Sequence, residues 1–268
     1  MTNSNSHNLT VGLVGLGVMG RGVAQNIMKK GYSLIGFDVN PSALEWLGSI
    51  GGKPARSLQE DMGKVDILIS FVVNDVQTEE VLFGKNGTGG AINTLKPHAL
   101  VVTCSTMSPS YVKSLAQRLE DKGIGMVDAP VTGGIYVLGE QPGMGSQMKV
   151  INQLLCGVHI AAAGEALAMA KSQGLPLPIT LEILRKGAAN SWMLSDRGPR
   201  MVEENFDKPT SAIDIFVKDL SLVLDAAREK KFPATLAHAA YLEFIQASAR
   251  GLGALDDSAV TTNYHFEK

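Results

Sequence analysis

A doubly wound parallel α/β sheet followed by an all-helical region is the fold class this sequence predicts, and three observations lead to it. Apolar runs at residues 11–14, 32–37, 66–73, 99–104 and 125–128 alternate with helical or loop segments at 19–30, 78–83 and 109–122. Such alternation belongs to a parallel sheet wrapped on both faces. The first run stops at clustered glycines that open an amphipathic stretch. Beyond residue 143 no strand pattern recurs.

The elements follow in order. Residues 11–14 form a short apolar strand, residues 19–30 a helix, and residues 32–37 a second strand ending at Asp38. Strand, glycine turn, helix and strand within about thirty residues make one βαβ unit. Residues 145–173 are rich in Ala, Leu and Met and poor in charge. A helix apolar nearly all round should be buried on most faces, here against a second subunit. The remaining helices are expected to break at residues 175–178, 195–199, 205–209 and 230–233, where Pro and turn residues gather. The expected domains are residues 9–142, α/β, and residues 143–264, all-helical, the latter serving substrate binding and dimerisation.

Composition narrows the function classes. The chain has 268 residues, 45% of them hydrophobic, enough for a sizeable core. A net charge of -2 gives no electrostatic reason to expect nucleic acid or an anionic membrane surface. Cys104 and Cys156 lie far apart in apolar surroundings, which favours free thiols over a disulfide framework. Residues 1–10 read as a polar lead-in rather than a targeting segment, and no uninterrupted apolar run approaches the roughly 20 residues of a membrane span. A cytoplasmic location is the expectation. His7, His98, His238 and His265 show no metal-ligand spacing, so no metal is expected. His159, among apolar neighbours, reads as a packed histidine.

Gly15-Leu16-Gly17-Val18-Met19-Gly20 is a GxGxxG placed between a strand and a helix. Gly15 allows the tight turn, Gly17 lets the backbone approach a pyrophosphate, and Gly20 lets helix and strand pack closely. The helix start offers unpaired N–H groups to the anion. Asp38 ends the second strand, where a carboxylate accepts the ribose hydroxyls and repels a 2′-phosphate. The reading is a Rossmann-type site for NAD rather than NADP; a flavin or nucleotide-sugar site on the same fold is the alternative.

Three further segments carry a family resemblance. They are Cys104-Ser105-Thr106-Met107-Ser108-Pro109, Asp128-Ala129-Pro130-Val131-Thr132-Gly133-Gly134, and Gly143-Met144-Gly145 followed by Lys149, Asn152 and Gln153. From residue 11 to residue 260 the chain resembles the β-hydroxyacid dehydrogenase family, which includes 3-hydroxyisobutyrate, tartronate-semialdehyde and 6-phosphogluconate enzymes. Residues 153–163, 190–193, 214–220 and 256–260 are most similar to its branch that oxidises L-threonate. The resemblance implies an NAD-dependent oxidation of a small hydroxyacid, and the long low-charge helix predicts a homo-oligomer, a homodimer or homotetramer. The resemblance places Thr106 beside the nicotinamide and Val72, Val73 and Gln77 near the adenosine and pyrophosphate. Lys218 then lines the cofactor end of the site, with Asp219 to orient it, and Thr132, Gly133, Gly134, Asn152 and Gln153 bind substrate.

The chemistry of the residues agrees with that assignment. Thr132 and the backbone N–H groups of the two glycines suit a carboxylate. Lys149 and Gln153, four apart, share a helix face. There Lys149 takes the hydroxyl proton as hydride leaves and returns it in the reverse direction, its pKa brought toward the working pH by burial and by Lys218. Trp192 either lines the substrate pocket or anchors helix packing.

One departure stands out. After Gly134 the family continues through a strand, a Gly-Gly turn, a helix and another strand. Here residues 135–139 lead almost directly into the Lys149 helix, so roughly thirty residues, one βαβ-sized unit, are absent. Residues 135–138 then stand as the final strand, with apolar surface exposed behind the substrate loop. A shortened but working enzyme, an inactive variant, and an NAD binder without turnover all fit the sequence.

Overall fold

The computed structural model describes residues 9–133, 135–136 and 141–264. The chain divides into two compact units, Met1–Lys149 and Val150–Lys268.

The first unit is built on six parallel strands: β1 (Thr10–Val14), β2 (Ser33–Phe37), β3 (Lys53–Pro54), β4 (Ile67–Ser70), β7 (Leu100–Thr103) and β8 (Gly125–Asp128), in the order β3-β2-β1-β4-β7-β8. Between them lie α1 (Val18–Lys29), α2 (Pro41–Ser49), α3 (Leu58–Asp61), α4 (Asp75–Phe83) and α5 (Pro109–Glu120), with a small hairpin of β5 (Gly84–Lys85) and β6 (Thr88–Gly89). Neighbouring β4 residues separate as pleat alternation requires: Leu68 joins a core with Val101, Leu115 and Leu119, and Ile69 joins one with Leu13, Ala24 and Leu47. The strand order reverses between β1 and β4, and there the carboxyl ends of the strands leave a crevice.

Helix starts are set by short polar side chains. Asn40 accepts the N–H of Ser42 ahead of α2, Asn74 that of Gln77 ahead of α4, and Ser108 that of Tyr111 ahead of α5. The Asn74 cap begins α4 at Asp75, three residues before the sequence expectation.

Two expectations about the end of this unit need revising or completing. Residues 135–136 do not extend the main sheet, and residues 137–138 lie outside the described residues. Ile135–Tyr136 (β10) pairs antiparallel with Val131–Thr132 (β9) in a hairpin of its own, and β8 remains the sheet edge. The reason is length: a parallel partner needs a crossover of a dozen or more residues, whereas two intervening residues permit only a reversal. The long helix α6 (Met144–Ser172) follows, and its start is pinned by Asp128 at the end of β8. Asp128 is buried and accepts the backbone N–H groups of Gly143 at 3.0 Å and Ser146 at 2.8 Å. A carboxylate there satisfies open donors and complements the positive helix end.

The second unit comprises the rest of α6 with α7 (Leu177–Lys186), α8 (Trp192–Glu203), α9 (Ile213–Glu229), α10 (Thr235–Ala247) and 3₁₀ turns at Asp257–Tyr264. Ile160, Leu167, Phe216, Leu220, Phe244 and Val260 lie in its core, where the rings of Phe216 and Phe244 stack at 5.0 Å. Gly157 brings α6 close to α9, since a Cβ there would stand 2.8 Å from the Leu220 side chain.

The helix break expected at residues 195–199 is not there. The chain stays helical through Pro199, and the interruption falls just before Ser191, whose hydroxyl accepts the N–H of Leu194. Flanking Pro199, Arg197 forks onto Asp257 at 2.8 and 3.0 Å and Arg200 reaches Asp256 at 2.5 Å, while Leu194 and Met201 are buried. Tertiary anchoring thereby overrides the missing N–H.

Helix α6 also departs from expectation. It is long and apolar enough, by length and composition, to cross a membrane, although only half of the relevant window is buried. Reading uninterrupted runs alone hid this, because isolated polar residues punctuate the segment. Its burial is one-sided: Met148, Ile151, Leu155 and Met169 are exposed, Ile151 by 62%.

Candidate active site

The glycine motif sits at the crevice. Gly15 has φ of 95°, and a Cβ there would lie 2.3 Å from the carbonyl oxygen of Phe71. At Gly20 a Cβ would lie 2.0 Å from the carbonyl oxygen of Gly15. Both glycines are therefore required by the protein's own packing. Gly17 is different: a Cβ there would meet nothing within 4 Å. It opens α1 with no side-chain cap and no acidic residue in the first turn. Open backbone at a helix start fits an anion such as a pyrophosphate.

Around this turn is a cavity of about 620 Å³, and Gly15, Gly17, Asp38, Val72, Val73 and Gln77 all line it. Asp38 grips the glycine loop by accepting the N–H of Leu16 at 2.6 Å, and it accepts that of Asn40 at 2.8 Å. Leu16 takes part through its backbone alone, its side chain being buried in the core. Val18 and Met19 stand exposed at the helix start. Gln77 accepts the N–H of Val73 at 2.8 Å, which stiffens the loop after β4.

Ser105, next to Thr106, is buried and donates to the carbonyl of Val72 at 2.7 Å, fastening the end of β7 to the same loop. Thr106 is half-buried. Cys104 is buried and its thiol is pushed up to about 12 by desolvation, so it is no nucleophile. Thr132 is half-buried on β9, and Gly133 is exposed with φ of 53°. Gly134 lies outside the described residues, as do His7 and His265.

Lys149 is 7% exposed on α6. Few lysines are so enclosed. The sequence reading missed what fixes its helix, the grip of Asp128 on the first turn. The signal for it was an acidic residue closing an apolar strand just ahead of a helix with no acidic residue of its own in that turn.

In the second unit Asp219 is 3% exposed and accepts the Nε2–H of Gln153 at 2.5 Å. Lys218 Nζ lies 2.7 Å from the other Asp219 oxygen. Asn152 donates to Oε1 of Gln153 at 2.8 Å and to Sγ of Cys156 at 3.3 Å. Trp192 is 63% exposed at the first turn of α8 and lies outside the buried core. Among the described residues no group of His, Cys, Asp and Glu could hold a metal ion.

Comparison with known proteins settles the relationship. Residues 10–142 match the family profile described as the NAD binding domain of 6-phosphogluconate dehydrogenase, and residues 143–264 that described as NAD-binding of NADP-dependent 3-hydroxyisobutyrate dehydrogenase. An L-threonate dehydrogenase of Cupriavidus necator is 39% identical over 283 residues, covering 93% of this chain and 94% of that protein. The chain belongs to the 3-hydroxyisobutyrate dehydrogenase-like family. It is an NAD-binding dehydrogenase of that family. The crystal structure of a 3-hydroxyisobutyrate dehydrogenase from Salmonella typhimurium superposes with a TM-score of 0.88 at 38% identity, covering 96% of this chain and all of that one. A Mycobacterium tuberculosis 3-hydroxyisobutyrate dehydrogenase shares the fold, with a TM-score of 0.82 at 22% identity. The Cupriavidus comparison runs over 283 positions yet takes in 93% of a 268-residue chain, so roughly thirty positions, about one βαβ unit, have no counterpart here.

Proposed function

We propose that this protein oxidises the 2-hydroxyl of L-threonate to 2-dehydro-L-erythronate with NAD as hydride acceptor, and that Lys149 is the general acid and base. The observation that carries the reading is a buried lysine on a helix whose start is held by Asp128, in a chain with threonate-oxidising relatives at 37–39% identity. NAD supplies the hydride acceptor when bound; Gly15, Gly17 and the start of α1 suit its pyrophosphate, and Asp38 suits an unphosphorylated ribose. In oxidation a neutral Lys149 accepts the hydroxyl proton, and in reduction the ammonium donates it. Thr132 and the Gly133–Gly134 backbone hold the carboxylate end. Thr106 and Lys218 serve the nicotinamide end. The enzyme works in the cytoplasm as a homodimer or homotetramer, the exposed α6 stripe being the surface that a second copy covers.

The test is NADH formation from L-threonate beside Lys149→Ala. Wild-type turnover that falls by about 10²–10⁴-fold in the variant is the expected result. Faster turnover of 3-hydroxyisobutyrate or tartronate semialdehyde would move the assignment to the family's other branches. NAD binding without turnover of any hydroxyacid would make the chain a non-catalytic binder, a reading favoured by one observation, the roughly thirty positions of the relatives that have no counterpart here.

A further inference from the structure

The carboxyl edge of the sheet holds a row of buried polar side chains that the chemistry above does not use. Ser70, Thr103 and Asp128 are the last residues of β4, β7 and β8, and they stand in register across the three strands. Residues in register on neighbouring parallel strands share a face. Here it is the face on which Leu68 and Val101, two positions earlier on β4 and β7, join the core with Leu115 of α5. Ser146, in the first turn of α6, meets the row through its backbone N–H, which Asp128 accepts at 2.8 Å.

Three hydroxyls of this row have no partner among the described residues. They belong to Ser70, Thr103 and Ser146, which are 0%, 0% and 1% exposed. Nearby hydroxyls are satisfied wherever a carbonyl is in reach: Thr78 donates to that of Asn74 at 2.8 Å and Ser105 to that of Val72 at 2.7 Å. A buried hydroxyl without a partner carries its full desolvation cost, and a cluster of them marks the place of a small polar guest. Spacing and charge decide which guest. Neighbouring strands lie about 4.8 Å apart, too far for Ser70 and Thr103 to bond directly and suited to one oxygen about 2.8 Å from each. A hydroxyl both donates and accepts, as water does. A bound cation would want carboxylate oxygens turned toward it. Both oxygens of Asp128 instead face N–H groups, of Gly143 and Ser146, at the positive end of a helix.

We propose that Ser70, Thr103 and Ser146 form an internal water-binding site. Water held between Ser70 and Thr103 ties β4 to β7, and from Thr103 it continues to Ser146. The start of α6 is thereby fastened to the sheet through hydrated hydroxyls as well as through Asp128. Thr103, in the middle, is the shared member. The site does not depend on which substrate the protein takes.

The experiment combines the melting temperatures of Thr103→Val, Ser70→Ala and the double variant with a high-resolution crystal structure of the wild-type chain. Valine keeps the shape of threonine and removes its hydroxyl. With water bridging the row, Thr103→Val strands both the water and its other partners and should lower the melting temperature by about 2–4 °C. Ser70→Ala should cost less in the Thr103→Val background than in wild type, because the bridge is already broken. The crystal should show a water peak within about 3.2 Å of both the Ser70 and the Thr103 hydroxyl oxygens.

A dry row gives the opposite sign. Removing a hydroxyl that has no partner relieves its burial cost, so a rise in melting temperature for Thr103→Val or Ser70→Ala would overturn the proposal. Equal costs of Ser70→Ala in both backgrounds, or a crystal without the peak, would overturn it as well. A melting temperature that climbs with sodium or potassium chloride, and not with tetramethylammonium chloride, would make the guest a cation and reject water. Should Thr103→Val not fold, Ser70→Ala and the crystal structure decide the matter.

Discussion

Gly17 and Gly20 lie three residues apart in one motif and answer to different demands. Alanine at 17 meets open space, and φ of -66° suits any residue, so Gly17→Ala should leave folding within about 1 kcal/mol of wild type. Its methyl group would stand where the pyrophosphate approaches, and NAD affinity should drop about tenfold or more by calorimetric titration. Gly20→Ala instead drives a methyl into the Gly15 carbonyl and should destabilise the first unit by about 1–3 kcal/mol, seen in the urea midpoint. Equal effects of the two substitutions on stability would refute this division of labour. Asp38 shows a similar doubling, since the carboxylate suited to a ribose also ties the strand end to the glycine loop.

Among whole elements, the start of α6 depends on a group outside the helix. Asp128→Ala removes both acceptors from Gly143 and Ser146 and should cost about 1–2 kcal/mol in chemical denaturation, with kcat lowered because Lys149 rides on that helix. Unchanged stability would mean that the first turn finds other partners. Helices α4 and α5 are joined by Glu79, which accepts from Arg118 at 2.5 and 3.0 Å and from the Tyr111 hydroxyl at 2.9 Å; Arg118 in turn lies over the Phe83 ring. The Arg118 hydrogen bonds outweigh burial and hold the Glu79 carboxyl below its ordinary range. A carboxylate depressed in the folded state stabilises above its unfolded pKa, about 4.3, and that contribution is lost as pH falls through the folded value. Glu79→Gln should therefore narrow its stability gap to wild type as the pH is lowered below about 4, in urea midpoints taken across that window.

For the molecule as a whole, the surface of α6 and the length of the chain each carry a prediction. Met148, Ile151, Leu155 and Met169 make an exposed apolar stripe on a helix whose other faces are buried. Sedimentation at micromolar concentration should give at least a dimer, and Ile151→Asp with Leu155→Asp should shift it toward monomer; a monomeric wild type would remove the idea. Among the described residues β8 ends the main sheet on one side, and a cleft of about 500 Å³ beside α1 is lined by Val23, Ile27, Tyr32, Ile69, Phe71 and Val131. Parallel sheets are usually covered on both faces. Inserting roughly thirty residues of a relative after Gly134, where the sequence reading puts the shortfall, should raise the melting temperature, and a fall would show that the hairpin of β9 and β10 has become the better solution.

How much was legible in the sequence divides along the range of the forces involved. The alternation of apolar runs and helices, the glycine turn and Asp38 are local patterns whose meaning depends on neighbours a few residues away. They gave the order of the main strands along the chain, the cofactor turn and the family. A shortfall of roughly thirty positions against the relatives is equally a matter of length, and the sequence reading puts it after Gly134. What the sequence alone did not determine depends on partners distant in the chain. Pro199 signals a helix break, yet Asp256 and Asp257, more than fifty residues on, hold α8 intact through Arg197 and Arg200. Residues 135–136 have a strand's composition, but chain length decided whether they cross over or fold back. Gln153 donates to Asp219, sixty-six positions later, a partner that no spacing in the sequence announces. A hydrogen bond requires an approach within about 3 Å in a defined direction. Sequence spacing carries that information within one helix or one turn, and only tertiary structure supplies it between elements.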